Sequence, residues 1–492
     1  MTAANPVSAA AAPPPADGRA LRARGLGLAR PHPWRWLMNG RLIGPAWRYL
    51  AGVMVVAGPW ILSVCALGLV TLALEPQIGH AAIEDFRLTI IYALCVAPLA
   101  AIPGATIAAR VIRDAVVLRG GDQVTHIFLV SSLLSAGVSF GLAGAVALAL
   151  GVAPAGLGLA FACLSAMTAL LWNCLSVLTA LRQFRFMVSG FGLGMGLAVV
   201  LALQSVRIGA DAQLLVWCFI AGMGLCPLMT MARLDWSAPI AGADLARAAR
   251  DLLHEMRREA YLCAGIFFAC CGVWIDKWLL WVGPGGLTSR AGYLHYSFYD
   301  SVMFVAHLSI IPSFAAALLM QDGIFTQMVE TFRRDLSQRA SYAAVRAAVD
   351  RMGTVVWSSI FVIIFVQATI TATLVLTSPL LAERLSLAFS QLVALRIALV
   401  AVFAHAIFYL ASVVLVLCGR TRLYFWVQLM FFMANLAASL VFYWDAGASA
   451  NGFLASSLLM AMVSFVLAYR SLADYDYHIL VAQNRGLYPA GA

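Results

Sequence analysis

Apolar positions in this chain gather into twelve blocks of roughly 20 residues, and charged positions fall almost entirely between them. The blocks lie near 51–74, 88–109, 125–150, 155–180, 187–206 and 211–231. After a polar stretch, six more lie near 260–281, 299–320, 353–377, 396–418, 422–443 and 451–470. Each is long enough to cross a bilayer as a helix. Hydrocarbon offers the backbone no hydrogen-bond partner, so the segment must satisfy its own N–H and C=O groups. Barrel strands would be about half as long and would alternate. The pattern therefore predicts an all-α polytopic membrane protein with twelve transmembrane helices. Between 378 and 400, Leu385, Phe389, Leu392 and Leu395 predict a short interfacial helix before the tenth span.

Composition excludes a water-soluble enzyme. Hydrophobic residues make up 63% of the 492 residues against 11% charged, and mean hydropathy is +0.90. That is more apolar side chain than a soluble core can hide. Charge then supplies orientation. With both ends inside, the inside segments hold 26 of the 32 Lys and Arg, and only Arg87, Arg207, Lys277, Arg290, Arg384 and Arg396 fall elsewhere. The bias recurs at nearly every loop, so both termini are expected to be cytoplasmic. The net charge of +10 is read as this orientation signal. No soluble basic domain is present to carry a nucleic acid, and membrane lipids are the expected surroundings.

The spans divide into two six-helix halves, 51–231 and 260–470, joined by an amphipathic cytoplasmic linker at 232–259. Transporters built from two halves commonly place the substrate path between them. In the linker, Leu245, Ala249, Leu252 and Met256 share one face, with Arg247, Arg250, Arg257 and Arg258 on the others. An inside helix at 322–350 carries a similar stripe of Phe325, Val329, Phe332 and Leu336. Such helices either lie on the inner surface with Arg near anionic headgroups or serve as solvated connectors. Residues 1–50 form a disordered Ala/Pro tail and a basic juxtamembrane segment with Trp34, Trp36 and Trp47; residues 471–492 form a cytoplasmic tail. No secretory signal peptide is expected.

Gly137 with Gly141, Gly190 with Gly194, and Gly192 with Gly196 are spaced for close helix contacts. Pro98 and Pro103 interrupt hydrogen bonding in the second span, as a static kink or as part of a moving path. Asn173, Gln204, Gln367, His405 and Asn435 are read mainly as bridges between helices. The ten cysteines sit in or beside apolar blocks and are read as packing residues. No metal-ligand spacing, P-loop, G-x-S-x-G or H-E-x-x-H occurs, so neither cofactor, metal nor catalysis is expected.

The chemistry concentrates in Trp274-Ile275-Asp276-Lys277-Trp278, near the outer end of the seventh span. Buried at mid-helix, the carboxylate and the ammonium would each cost about 3 kcal/mol. Helical neighbours do not face each other, so each is expected to need another partner or water. A second cluster opens the eighth span: His295, Tyr296, Tyr299 and Asp300, with His307 two turns further on. Asp276, Lys277, Tyr299 and Asp300 are expected to line a hydrated outer vestibule; the alternative is an aromatic belt with interfacial charges. Lys277 either tempers the acidic field or pairs with Asp300. Trp274, Trp278 and His307 complete the candidate substrate path.

These residues resemble the PelG family, the inner-membrane transporters of the Pel exopolysaccharide, within the broad flippase superfamily of drug and oligosaccharide-lipid exporters. The resemblance rests on Gly58-Pro59-Trp60, the Trp274–Trp278 block, Tyr299-Asp300 with Met303-Phe304, Ile311-Pro312, Glu330-Thr331-Phe332 and Asn451-Gly452-Phe453. It covers roughly 45–475 and departs from the family before the first span. It implies export of a partly cationic, amino-sugar-rich polysaccharide to the periplasm during biofilm matrix production. It further implies a cytoplasmic glycosyltransferase and membrane partners, one of them a cyclic di-GMP-binding protein. A flippase for lipid-linked oligosaccharides or small amphiphiles, and a non-transporting scaffold for a synthase, are the alternatives.

Overall fold

A computed structural model describes residues 58–478, apart from 120–122, 182–183, 233, 235–240, 320–340, 386 and 446–448. Residues 1–50, the 325–336 stripe and the end of the tail lie outside the described residues. In the first half run α1 (Gly58–Ile78), α2 (His80–Arg119), α3 (Val124–Leu150), α4 (Ala155–Ala180), α5 (Phe184–Ser205), α6 (Ala212–Met223) and α7 (Leu225–Met231). The linker helix α8 (Gly242–Arg258) and α9 (Ala260–Trp281) follow, then a hairpin of β1 (Leu287–Thr288) and β2 (Leu294–His295). The second half continues with α10 (Ser297–Leu308), α11 (Ile311–Leu319), α12 (Tyr342–Leu376), α13 (Ser378–Arg384), α14 (Gln391–Leu417), α15 (Thr421–Val441) and α16 (Ser449–Ala473); a single turn, α17 (Tyr475–Tyr477), follows.

Among the described residues ten helices are long and apolar enough to cross a membrane, with α6 and α7 crossing as one. The pair α10–α11, bent by 41°, makes eleven, and Leu62–Ile78 of α1 is a shorter apolar helix that brings the expected count to twelve. Pro312 lies just past the α10–α11 bend. It has no N–H to offer the Leu308 carbonyl, which weakens the helix there.

Three boundaries differ from the hydropathy pattern. Helix α2 runs 40 residues, with Pro98 and Pro103 both inside it. Helix α12 is capped by Ser341, whose hydroxyl accepts from Ala344 N at 3.3 Å, so the end of the expected inside helix and the ninth span are continuous. Hydropathy marks where charge stops, whereas the helix propagates through Arg346, Asp350 and Arg351 at little cost. The expected interfacial helix at 378–400 is the shorter α13, and Leu392 and Leu395 already belong to α14. Gln391 closes the turn between them by accepting from Ala388 N at 2.8 Å.

Helix α2 packs on α3 and α4, and α6 on α4 and α5; on the other side α9 packs on α15 and α14 on α16. Helices α2 and α9 form the principal contact between the two groups. Leu148, Phe389 and Trp444 remain over four-fifths exposed, as lipid- or headgroup-facing side chains do. Helix α8 packs on α3 and α2 and buries Ala248 and Leu252; of the expected stripe, Leu245, Ala249 and Met256 are half-buried, and Arg247, Arg250, Arg257 and Arg258 are exposed.

Small-residue contacts are real at one place and not at another. A Cβ on Gly194 would stand 2.5 Å from the Gly222 carbonyl oxygen, and one on Gly190 would touch Cys226. Among the described residues Gly137, Gly141 and Gly196 meet nothing within 4 Å, which corrects their reading as contact residues. Spacing shows that two glycines share a helix face; only tertiary packing decides whether another helix uses it. Amide bridges follow the expected pattern. Asn173 donates to Ser131 and Ser132, Gln367 to the Ser309 carbonyl, and Asn435 to the Gly272 carbonyl. Gln204 is exposed and makes no such bridge among the bonds described.

Candidate functional site

The last turns of α9 carry the Trp274–Trp278 block into the interior. Asp276 is fully buried and Lys277 nearly so. The Lys277 ammonium lies 3.2 Å from Asp276 Oδ2 and donates to the Val273 carbonyl at 2.9 Å. The expectation that adjacent residues cannot pair is thus corrected. Backbone directions diverge by about 100° at successive helical positions, but the flexible lysine stem folds back far enough to bring its head to the neighbouring carboxylate. Tyr299, buried on α10, donates its hydroxyl to the same Asp276 oxygen at 2.5 Å.

Around this pair lies an aromatic enclosure. Lys277 Nζ is 5.7, 5.8 and 5.6 Å from the ring centroids of Trp274, Tyr299 and Phe453. Such faces attract a cation and partly replace its lost hydration. The Phe453 ring, from α16, also meets His307 at 5.7 Å and His405 at 5.4 Å. It reaches this position because Gly452 lets α16 approach α15; a Cβ there would stand 2.8 Å from Ser439. His307 Nδ1 lies 2.7 Å from the Met303 carbonyl and must therefore donate, leaving Nε2 as an acceptor. Among the described residues neither that Nε2 nor Nδ1 of His405 has a hydrogen-bond partner.

Of the two roles left open for Lys277, pairing with Asp300 is not the one seen: the lysine turns to Asp276, and Asp300 has other partners. Its carboxylate accepts from Trp281 Nε1 at 3.0 and 3.1 Å and from Tyr296 N at 3.0 Å, so it ties the end of α9 to the start of α10. Trp278 donates to Cys95 Sγ of α2 at 3.2 Å. Asp276 and Tyr299 are fully buried and Lys277 nearly so, with the rings of Trp274, Tyr299 and Phe453 set around the ammonium.

A second constellation sits between the halves, and sequence reasoning missed it. The segment after α9 turns back as β1 and β2, paired antiparallel with Leu287 opposite His295. From its tip Tyr293 enters the first half, fully buried, with its hydroxyl 3.2 Å from Thr89 Oγ1 and its ring 5.0 Å from Tyr92 and 6.0 Å from Phe161. Burial pushes the Tyr293 phenol up to about 12, so it stays neutral. Tyr92 stacks on Trp281 at 4.9 Å and donates to the Leu294 carbonyl. The signals present were Glu84-Asp85 at the edge of the second apolar block and the run Gly283-Pro284-Gly285-Gly286 followed by Ala291-Gly292-Tyr293. Turn chemistry marks a hairpin, but says nothing of where its tip docks. Among the described residues no group of three or more His, Cys, Asp or Glu could hold a metal, and all ten cysteines are free.

The family model for PelG, described as "Putative exopolysaccharide Exporter (EPS-E)", matches residues 36–480. No curated protein sequence matches the chain. Solved structures share the fold at low identity. A multidrug-resistance MATE transporter of the MOP superfamily in an outward-facing conformation has a TM-score of 0.60 at 14% identity, over 90% of this chain and 98% of that one. An inward-facing MATE transporter gives 0.58 at 13%, over 88% and 99%. A MOP superfamily transporter from Pyrococcus furiosus gives 0.53 at 13%, over 86% and 96%.

Proposed function

The chain belongs to the PelG family of exopolysaccharide exporters, and from that premise we propose that it exports the Pel polysaccharide across the bacterial inner membrane during biofilm matrix production. The observation that carries this reading is the match over 36–480 on a two-half, MATE-like bundle. The nascent chain enters from the cytoplasm between the halves and is released at the outer mouth, with both termini cytoplasmic as the basic residues require. A polymer longer than the bilayer is thick does not fit one occluded cavity, which favours passage coupled to synthesis by a cytoplasmic glycosyltransferase. Membrane partners, including a cyclic di-GMP-binding protein, complete the assembly in this reading. The chain itself performs no catalysis. Deleting it while retaining the synthase should abolish secretion and leave polymer inside; undiminished secretion would rule the role out.

Likeness to MATE transporters supports a second reading, a flippase for lipid-linked oligosaccharides or small amphiphiles. It predicts accumulation of a lipid-linked intermediate in the deletion strain, where the polymer-export reading predicts none.

A further inference from the structure

The hairpin between α9 and α10 originates in the second half, yet its tip is held by the first. Ala291 N donates to the buried Asp85 carboxylate at 3.1 Å, and the Ala291 carbonyl accepts from Ala153 N at 3.0 Å. Gly292 has φ +98°, and a Cβ there would stand 3.2 Å from the Leu150 carbonyl, so glycine is needed for both the turn and the close approach. Tyr293 fills the socket of Thr89, Tyr92 and Phe161, and His295 Nε2 reaches Glu84 Oε1 at 3.5 Å.

From this geometry we propose that the hairpin is an outer-face latch: Tyr293 docked in the first half holds the two halves together at the release side, and its withdrawal opens them. The inference rests on the transport reading above, which requires the halves to part where polymer leaves. Three features fit a latch better than a permanent weld. The strands are two residues each, and β1 is exposed on both. The segment is approached through the turns of Gly283-Pro284-Gly285-Gly286, where Gly283 N donates to the Leu280 carbonyl and Gly286 N to the Gly283 carbonyl, so the hairpin joins α9 through turns and not through a continuous helix. The dock is one aromatic plug with a few hydrogen bonds, a contact that can form and break, unlike the long α2–α9 interface. Asp300 anchors the far end of the hairpin to α9 through Tyr296 and Trp281, so hairpin movement is tied to helices that carry the buried Asp276–Lys277 pair.

The test is labelling of Thr89→Cys by a membrane-impermeant maleimide, read from fragment ions that separate position 89 from the native Cys95 in the same peptide, on intact cells and on inverted vesicles. With the hairpin native, Cys at 89 should react slowly. Tyr293→Ala should raise its rate on intact cells at least about tenfold, the equivalent of losing one buried hydrogen bond with its packing. Gly292→Ala is the second variant and should do the same. Equal rates with and without these changes, or labelling confined to inverted vesicles, would overturn the latch. Separately, Ala153→Cys with Ala291→Cys, residues joined by a backbone hydrogen bond, should cross-link on oxidation, stop secretion and release it on reduction. Full cross-linking with undiminished secretion overturns the latch while leaving transport itself intact. Deletion without loss of secretion sinks the transport reading, and the labelling rates still decide whether the hairpin undocks.

Discussion

The Lys277 ammonium lies 3.2 Å from the carboxylate of its own neighbour, Asp276, inside a ring of aromatic side chains. A buried pair of this kind is costly to form and costlier to break. Removing one member strands the other without solvent, at about 3–5 kcal/mol.

Asp276→Asn should therefore reduce the amount of folded protein in the membrane, more than it reduces secretion per molecule. Asp276→Asn with Lys277→Met removes both charges and should recover a substantial part of the loss. Quantitative immunoblots of membrane fractions and thermal unfolding in detergent measure both. Normal abundance of the single variant would show that the carboxylate is needed for charge along a path rather than for stability.

Asp300 accepts three hydrogen bonds from two donors, and Asn can keep only part of them. Asp300→Asn should cost about 1–3 kcal/mol, the penalty of a weakened buried bond. The change should loosen the link from α9 to α10. Thermal unfolding in detergent should show a lower midpoint than the native protein, and Trp281→Phe, which removes a donor instead, should show a comparable drop. No change in either variant would show that this clamp carries no stability.

Two glycine substitutions separate contact from spacing. A Cβ on Gly222 would stand 2.4 Å from the Gly194 carbonyl oxygen and 2.6 Å from Ala198 Cβ, so Gly222→Ala must force α5 and α6 apart. Gly137 faces open space. Gly137→Ala should be neutral or stabilise by up to about 1 kcal/mol through helix propensity. Membrane abundance should fall for the first and hold for the second; equal behaviour would contradict the close α5–α6 approach.

Asp476 in α17 holds Arg346 of α12 through two contacts of 3.1 Å and accepts from Tyr342. Burial works to raise its carboxyl, but the hydrogen bonds from Arg346 and Tyr342 prevail and hold it below the usual carboxylate range. Its contribution is thus complete above the unfolded value of about 4 and lost as pH falls through the lower folded value. Arg346 is partly exposed, so solvent screens the clamp and its contribution is small. Asp476→Asn should lower the unfolding temperature at pH 7, and the gap to the native protein should narrow below pH 4. A constant gap would place the effect elsewhere.

Sequence by itself determined the membrane class, the segments that cross, the linker helix and the residues on which family membership is recognised. Those are consequences of burial and backbone satisfaction, which act locally and leave a periodic trace in the order of side chains. The bridging roles of Asn173, Gln367 and Asn435 were legible for the same reason: a polar amide in an apolar helix must find a partner. Which partner a group finds is decided across helices distant in sequence. Lys277 turning onto Asp276, Asp300 serving Trp281, and Phe453 gathering two histidines beside that pair depend on how α9, α10, α14 and α16 pack. Tyr293 lies 204 residues from Thr89 along the chain. No period or spacing encodes that contact. It exists because the hairpin's reach, the room left by Gly292 and the aromatic socket between α2 and α4 coincide only once both halves are folded against each other.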